Sequence, residues 1–190
     1  LVIQEYENGN LYLNTRLNQL FPKKKLADKG EITLKEMLSH YARLRPWIPF
    51  YEETLNRKEK PKTRFYKTNS RSSFPIPVTE NLFLKRNYEE KIFNSIVESD
   101  LIEKLEFKYS DLPFYFLKFW FEDTYKKPLD LLAEERIFKR LKLERTMFNP
   151  YKKLSLDEIV PSEEDDFFRY SKLHGYVHDE GAAMLGGVSG

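Results

Sequence analysis

His174 and His178 have the spacing that most directly suggests chemistry, since they stand four positions apart beside Asp179 and Glu180. Two histidines at that spacing on a helix could bind a metal ion. Gly175 between them weakens a helix, and the sequence offers no evident third ligand. We therefore predict no metal site, and we expect one packed and one loop histidine, each hydrogen-bonded locally.

Three other groups of reactive or aromatic residues also have structural explanations. The acidic run at residues 163–166 is contiguous, whereas glycosidase carboxylates must face one another across a cleft, so the run predicts a solvated loop. Trp47, Phe50 and Tyr51 could line a substrate cleft, but core packing explains them at least as well. His40 stands at a predicted helix end, a position that favours histidine.

The composition excludes several classes of function. The 190 residues are 41% hydrophobic and 15% aromatic, which is enough for a folded core. A net charge of +2, with only short basic runs at 23–25 and 57–60, argues against a nucleic-acid partner. The absence of cysteine excludes disulfides, thiolate metal sites and a cysteine nucleophile. No apolar run approaches the roughly 20 residues that a membrane span needs, and we predict no cofactor.

Helical patterns dominate the chain. Thr33 and Glu36 form a capping box, the usual signal for a helix start. Asp111 stands where a helix N-cap is expected, before Pro113, and Tyr109 would be an ordinary aromatic residue at that helix entrance. The predicted helices cover about 34–42 and 88–105 and begin at Pro113 and Pro128. Residues 52–87 are expected to be irregular, with short extended pieces near 64–67 and 81–86, and residues 151–172 to be loop-rich.

Three blocks, in this order along the chain, resemble serine hydrolases of the penicillin-binding-protein and class C β-lactamase family. Residues 32–40 (ITLKEMLSH), followed by 47–51 (WIPFY), resemble the segment after the family's active-site helix. Residues 109–112 (YSDL), with KPL at 127–129 and IFKRLKL at 137–143, resemble its central tyrosine block. The third block, LHGYVHDEGAAMLGGVSG, closes the sequence. It resembles one branch in which some proteins, notably in Bacteroidetes, carry the hydrolase domain behind a family 3 glycosidase domain.

The resemblance implies catalytic roles for Tyr109 and Asp111. In the family, the tyrosine of the second motif lies beside the nucleophilic serine and a lysine, and it shares in proton transfer. Tyr109 takes that position by motif match. Asp111 takes the third position of the motif, where family members often have an asparagine that contacts substrate amide groups. An aspartate there suits a different substrate or an esterase-like role.

Two further motifs of the family do not occur in these 190 residues: Ser-x-x-Lys, which carries the nucleophile, and Lys/His-Thr/Ser-Gly. The resemblance therefore implies a single partial domain over 1–190. Its fold would be mainly α, the helical subdomain of the α/β β-lactamase/transpeptidase-like fold, with little or no sheet. We expect an internal fragment that is inactive alone, from a parent in the periplasm or cell envelope.

The parent is expected to hydrolyse an amide or ester bond through an acyl-enzyme, acting on a cell-wall peptide or a small amide or ester. The chain's expected partner is the remainder of the hydrolase domain, and an exposed apolar face would favour self-association. The alternative is a non-catalytic helical module that binds ligands or supports a neighbouring glycoside hydrolase. A Ser-x-x-Lys upstream of residue 1 would favour the enzyme, and its absence would favour the module.

Overall fold

A computed structural model describes residues 1–187 of the chain, so residues 188–190 of the third block lie outside the described part. The helices are α1 (Val2–Glu7), α2 (Leu17–Leu20), α3 (Leu34–Leu38), α4 (Tyr88–Glu98), α5 (Leu112–Tyr125), α6 (Leu129–Ala133) and α7 (Glu180–Met184). The strands are β1 (Tyr66–Lys67), β2 (Ile76–Thr79), β3 (Leu82–Leu84), β4 (Pro161–Asp165) and β5 (Ser171–His174). Short 3-10 turns occur at Ala27–Lys29, Glu52–Thr54, Pro150–Lys152 and Leu156–Glu158, and a π-helical turn, Glu134–Phe138, follows α6.

The prediction of a mainly α fold with little or no sheet is wrong. The described residues are 36% helical and 13% strand. One antiparallel sheet has the order β1-β3-β2, and a second pairs β4 with β5. Strands of two to five residues are too short to show the alternation that identifies a strand in a sequence. β4 also contains most of the acidic run at 163–166, which was expected to be a loop.

The described residues divide into two compact units. The first comprises Leu1–Ile48 and Phe93–Thr146, and the second comprises Pro49–Ile92 and the residues from Met147 on. Within residues 1–187, no helix combines the length and the apolar character that crossing a membrane requires.

Helix α3 in the first unit begins as predicted but ends earlier. The Thr33 hydroxyl accepts the N–H of Glu36, and the Glu36 carboxylate accepts the N–H of Thr33 at 2.8 Å, which confirms the capping box. After Leu38 the chain turns back through His40, whose φ of 58° lies in the left-handed region. The N–H of His40 donates to the Met37 carbonyl and that of Tyr41 to the Glu36 carbonyl, the pattern of a Schellman motif.

Helix α5 supplies much of the core of the first unit. Phe116 on α5 packs against Phe93 and Phe21, with ring centroids 5.4 and 6.1 Å apart. Pro113 lies in the first turn of α5, and Lys126 ends it with a φ of 51°. The helix start agrees with the sequence prediction, because proline fits a first helical turn. The left-handed conformation of Lys126, a common way for a helix to end, was not predicted.

Phe168 occupies the centre of the second unit. It is fully buried, and its ring centroid lies 5.0 Å from that of Tyr51 and 6.0 Å from that of Tyr66. Phe168 belongs to the loop that joins β4 to β5, so its burial fixes this hairpin. The stretch 52–87, which the sequence suggested was irregular, contains β1, β2 and β3.

A buried ion pair lies beside Phe168. The Arg169 guanidinium donates from Nε to Asp165 Oδ2 at 2.5 Å, and the N–H groups of Phe168 and Arg169 donate to Asp165 Oδ1 at 2.8 and 3.0 Å. Other guanidinium nitrogens donate to the carbonyl oxygens of Val177 and His178. One arginine therefore connects the β4–β5 loop to the chain that follows β5.

Candidate active site

The residues of the central motif, 109–111, form the segment that leads into α5. Tyr109 is 53% exposed, whereas Ser110 is only 2% exposed. Asp111 is half-buried, and its Oδ1 accepts a hydrogen bond from the Tyr109 hydroxyl at 3.0 Å. The structure thus brings the two predicted site residues together and leaves the tyrosine accessible to solvent.

Ser110 fixes the backbone of the 109–111 segment from inside the first unit. Its hydroxyl donates to the Arg45 carbonyl oxygen at 2.6 Å and accepts the N–H of Leu112 at 3.2 Å. The N–H of Asp111 donates to the Pro46 carbonyl oxygen at 3.3 Å. Ser110 is buried and its hydroxyl donates to a backbone carbonyl oxygen, which is not a base, so the structure gives it neither the access nor the activation that a nucleophile needs.

Asp111 is the N-cap residue of α5, as one interpretation of the sequence expected, but its carboxylate does not cap the helix. Its carbonyl oxygen accepts the N–H of Phe114 at 3.0 Å, while its side chain makes no capping hydrogen bond. Asp111 can therefore be the N-cap residue and also contact Tyr109, because its backbone carbonyl begins the helix while its carboxylate accepts the tyrosine hydroxyl.

Aromatic side chains surround this pair. The His40 ring centroid lies 4.7 Å from that of Tyr109, 5.7 Å from that of Phe107 and 5.9 Å from that of Phe114. Phe107 also contacts Tyr41 at 6.2 Å. We call the four residues that lie around His40 the aromatic patch, namely Tyr41, Phe107, Tyr109 and Phe114; Phe107 is 58% exposed and Tyr41 43%. An exposed aromatic surface of this kind can hold an apolar group of a substrate.

The contacts of His40 with this segment are not evident from the sequence. A left-handed position after a helix C-cap is usually glycine or asparagine, so a histidine does not indicate one. In the structure, Nδ1 of His40 accepts the N–H of Ser110 at 3.3 Å.

The histidines of the third block do not form a metal site with neighbouring acids. Nε2 of His174 donates to the Ile159 carbonyl oxygen at 2.6 Å, and His178 is exposed, in agreement with one packed and one loop histidine. Over residues 1–187, no group of three or more histidine, aspartate and glutamate side chains could hold a metal ion. Asp179 instead caps α7 by accepting the N–H of Ala182 at 2.5 Å.

The aromatic residues of block one have separate environments. Trp47, in the first unit, is 43% exposed. Phe50, in the second, is 5% exposed, and its carbonyl oxygen accepts the Tyr88 hydroxyl at 2.9 Å. Core packing therefore explains Phe50, while Trp47 remains accessible.

The second unit contains a cavity of about 450 Å³ that the sequence did not reveal. Tyr151 and Tyr176 line it as a stacked pair with centroids 4.3 Å apart, together with Glu80, Asn81 and Lys172. Burial raises the pKa of Tyr176, and the nearby Glu80 carboxylate raises it further. Tyr176 is thus a neutral hydrogen-bonding group in the cavity wall at ordinary pH.

Comparisons with known proteins bear on the family. No family model matches the chain. It is 28% identical over 192 residues to a protein of Salmonella typhimurium named "Putative D-alanyl-D-alanine carboxypeptidase", and the same holds for a protein of that name in Salmonella newport. A solved structure, "putative beta-lactamase from Bacteroides dorei DSM 17855", matches 71% of this chain and 32% of its own at 18% identity with a TM-score of 0.46.

The Salmonella alignments cover 90% of this chain but 43% of each relative. The chain therefore spans less than half the length of the curated relatives that it matches. They agree with the resemblance carried by the three blocks, and they support a β-lactamase/penicillin-binding-protein-like family.

Proposed function

We propose that this chain supplies part of the active site of a serine hydrolase that cleaves an amide or ester bond through an acyl-enzyme. The observation that carries the proposal is the exposed Tyr109 hydroxyl, held 3.0 Å from the Asp111 carboxylate above a buried Ser110. The names of the relatives support a peptide substrate of the D-alanyl-D-alanine type. The 190 residues contain no Ser-x-x-Lys, so the nucleophile belongs to sequence outside them.

Tyr109 has the role of proton transfer in this proposal. A serine oxygen attacks the substrate carbonyl carbon while its proton passes to the Tyr109 phenol oxygen, and in the same step the phenol gives its own proton to a basic group such as the lysine of a Ser-x-x-Lys motif. The bond from the carbonyl carbon to nitrogen or oxygen then breaks, and the leaving group takes up that proton. Water hydrolyses the acyl-enzyme by the reverse proton path and regenerates the serine.

Asp111 contacts the substrate in this proposal. A carboxylate only accepts hydrogen bonds, whereas an asparagine amide both donates and accepts. Asp111 therefore favours substrates that present an N–H or a cationic group, and it disfavours those that need a donor for their carbonyl oxygen. The aromatic patch beside it suits an apolar substituent.

Covalent labelling tests the proposal. The natural gene product that contains this chain is incubated with a fluorescent penicillin and, separately, with a fluorophosphonate, and mass spectrometry locates the adduct. We expect an adduct on a serine outside the 190 residues and none within them. Tyr109→Phe should slow labelling by about 10²-fold or more, the usual contribution of a general acid–base group.

Tyr12→Phe is the matched control, since Tyr12 is 56% exposed and lies in the same unit but away from the motif. It should label at the wild-type rate. If neither probe labels the wild-type protein, the acyl-enzyme proposal fails and a non-catalytic binding module becomes the better explanation.

Asp111→Asn tests the substrate preference separately. The asparagine restores a donor for a substrate carbonyl, so the rate of penicillin labelling should rise relative to that of fluorophosphonate labelling, which does not require this contact. An unchanged ratio would show that residue 111 does not contact the substrate.

A further inference from the structure

His40 adopts a backbone conformation that few side chains favour. It occupies the left-handed position after α3, with a φ of 58°. Glycine adopts this conformation at the least cost, and asparagine tolerates it. A histidine at such a position is strained, and residues held in strained conformations cluster at functional sites. The contacts of its ring give a reason for its presence.

His40 contacts three consecutive residues of the segment before α5. Its carbonyl oxygen accepts the N–H of Lys108 at 2.9 Å. Its ring lies against the ring of Tyr109, with centroids 4.7 Å apart and an interplanar angle of 38°. Its Nδ1 accepts the N–H of Ser110 at 3.3 Å. The tyrosine is therefore fixed through its ring and through the backbone on both sides.

We propose that His40 is a positioning residue for Tyr109, and that it holds the phenol hydroxyl in the direction that proton transfer requires. This inference rests on the proposed function. Since Nδ1 accepts a hydrogen bond, the ring must be neutral with its proton on Nε2. His40 does not touch the substrate in this proposal and acts only through Tyr109 and Ser110.

Two substitutions at position 40 distinguish the effect of the hydrogen-bond acceptor for Ser110 from the effect of the left-handed backbone. Both His40→Asn and His40→Gly accommodate a positive φ. Asparagine places a carbonyl oxygen where it can replace Nδ1, whereas glycine offers no acceptor, so the pair differs in the hydrogen bond to Ser110. In the natural gene product, the first-order rate constant for acylation by the fluorescent penicillin is measured at saturating probe.

We expect His40→Gly to lower this rate constant on the order of tenfold, the effect of losing one hydrogen bond. The probe concentration for half-saturation should not change. His40→Asn should recover the rate to within about threefold of wild type. A merely structural role would reduce the fraction of labelled protein and leave the rate constant of the labelled molecules unchanged. Equal rate constants for the two variants would overturn the proposal.

The tautomer of His40 provides a test that does not depend on catalysis. Two-bond proton–nitrogen correlation spectra of the wild-type protein, with His40→Asn used to identify the signal, should show the proton on Nε2. A ring protonated on Nδ1 would overturn the proposal whether or not the protein acylates. If the wild-type protein forms no adduct but His40 has the expected tautomer, the proposed function fails while the placement of the 109–111 segment by His40 stands.

Discussion

Replacing Asp165 with asparagine tests whether its ion pair with Arg169 stabilises the second unit. Both side chains have 0% exposure. In the unsubstituted protein, the N–H groups of Phe168 and Arg169 donate to one carboxylate oxygen at 2.8 and 3.0 Å, and the asparagine keeps this oxygen as an acceptor. The substitution replaces the other oxygen, which accepts Arg169 Nε at 2.5 Å, with an amide group that cannot accept.

The loss of stability in Asp165→Asn follows from the buried charge that remains on Arg169. Removing one partner of a buried ion pair destabilises a protein by about 3–5 kcal/mol, because the other charge stays buried without compensation. Arg169 still donates to the carbonyl oxygens of Val177 and His178, so we expect the lower end, about 3 kcal/mol. Asp166→Asn makes the same chemical change at an exposed neighbour and should cost less than about 0.5 kcal/mol.

Hydrogen exchange is the appropriate assay, because both tryptophans, Trp47 and Trp120, lie in the first unit and do not report on the second. A loss of about 3 kcal/mol corresponds to exchange on the order of a hundredfold faster in peptides covering 161–178. If Asp165→Asn changes the exchange rate of these peptides by less than about threefold, the ion pair does not stabilise this unit.

The same pair predicts a pH dependence. Burial raises the pKa of the Asp165 carboxyl, but the hydrogen bonds from the Arg169 side chain and from the N–H groups of Phe168 and Arg169 outweigh it, so the pKa lies below its usual value. Folding therefore favours the ionised form. The ionised Asp165 carboxylate makes its full contribution to the free energy of unfolding above the unfolded-state pKa of about 3.9. This contribution is lost as the pH falls through the folded-state pKa. The stability difference between wild type and Asp165→Asn should be constant from about pH 5 to 8 and should shrink below about pH 4.

Four further substitutions and one control test capping, an ion pair and packing. Thr33→Ala removes the cap of α3 and should lower the stability of the first unit by about 1 kcal/mol, measured by urea unfolding with tryptophan fluorescence. Lys118 is 2% exposed and pairs with Glu122 at 2.8 Å. In the same assay, Lys118→Met should be neutral within about 1 kcal/mol, whereas Glu122→Ala, which leaves a buried ammonium, should cost about 3 kcal/mol. Gly175→Ala places a Cβ at a φ of 81° and 3.1 Å from the nearest side-chain atom, and should cost about 1–3 kcal/mol by hydrogen exchange of the second unit. The control Gly30→Ala has a negative φ and meets its nearest atom at an ordinary 3.6 Å, so hydrogen exchange of the first unit should show no such loss.

The parts of the fold that the sequence predicted are those fixed by local chemistry. Thr33 and Glu36 specify a helix start between themselves, and Pro113 marks the beginning of α5 whatever the rest of the chain does. The sheets depend on pairing between distant segments. β2 contains Pro77, which argues against a central strand, and the order β1-β3-β2 places it at an edge where proline is tolerated. Nothing in the local sequence indicated that pairing.

In the candidate site, too, the sequence predicted what neighbouring residues determine and missed what depends on distant ones. Tyr109 and Asp111 stand two positions apart, so a short motif was enough to single out both residues, although it did not predict the hydrogen bond between them. The hydrogen bond between Ser110 and His40 joins residues 70 positions apart and depends on how α3 ends. Only the left-handed turn after α3 brings the His40 ring to this segment, and a histidine gives no reliable signal for such a turn.

The fold of the first unit accommodates an aspartate at position 111. At the N-terminus of a 14-residue helix, the aligned peptide dipoles favour a carboxylate over an amide by about 0.3–1 kcal/mol. The Asp111 carbonyl oxygen accepts the N–H of Phe114, and the side chain makes no capping hydrogen bond. Asp111 thus carries no structural penalty, and its carboxylate accepts the hydrogen bond of the accessible Tyr109 hydroxyl. In the proposed function, the effect of aspartate at this position therefore falls on the substrate group that approaches that hydroxyl.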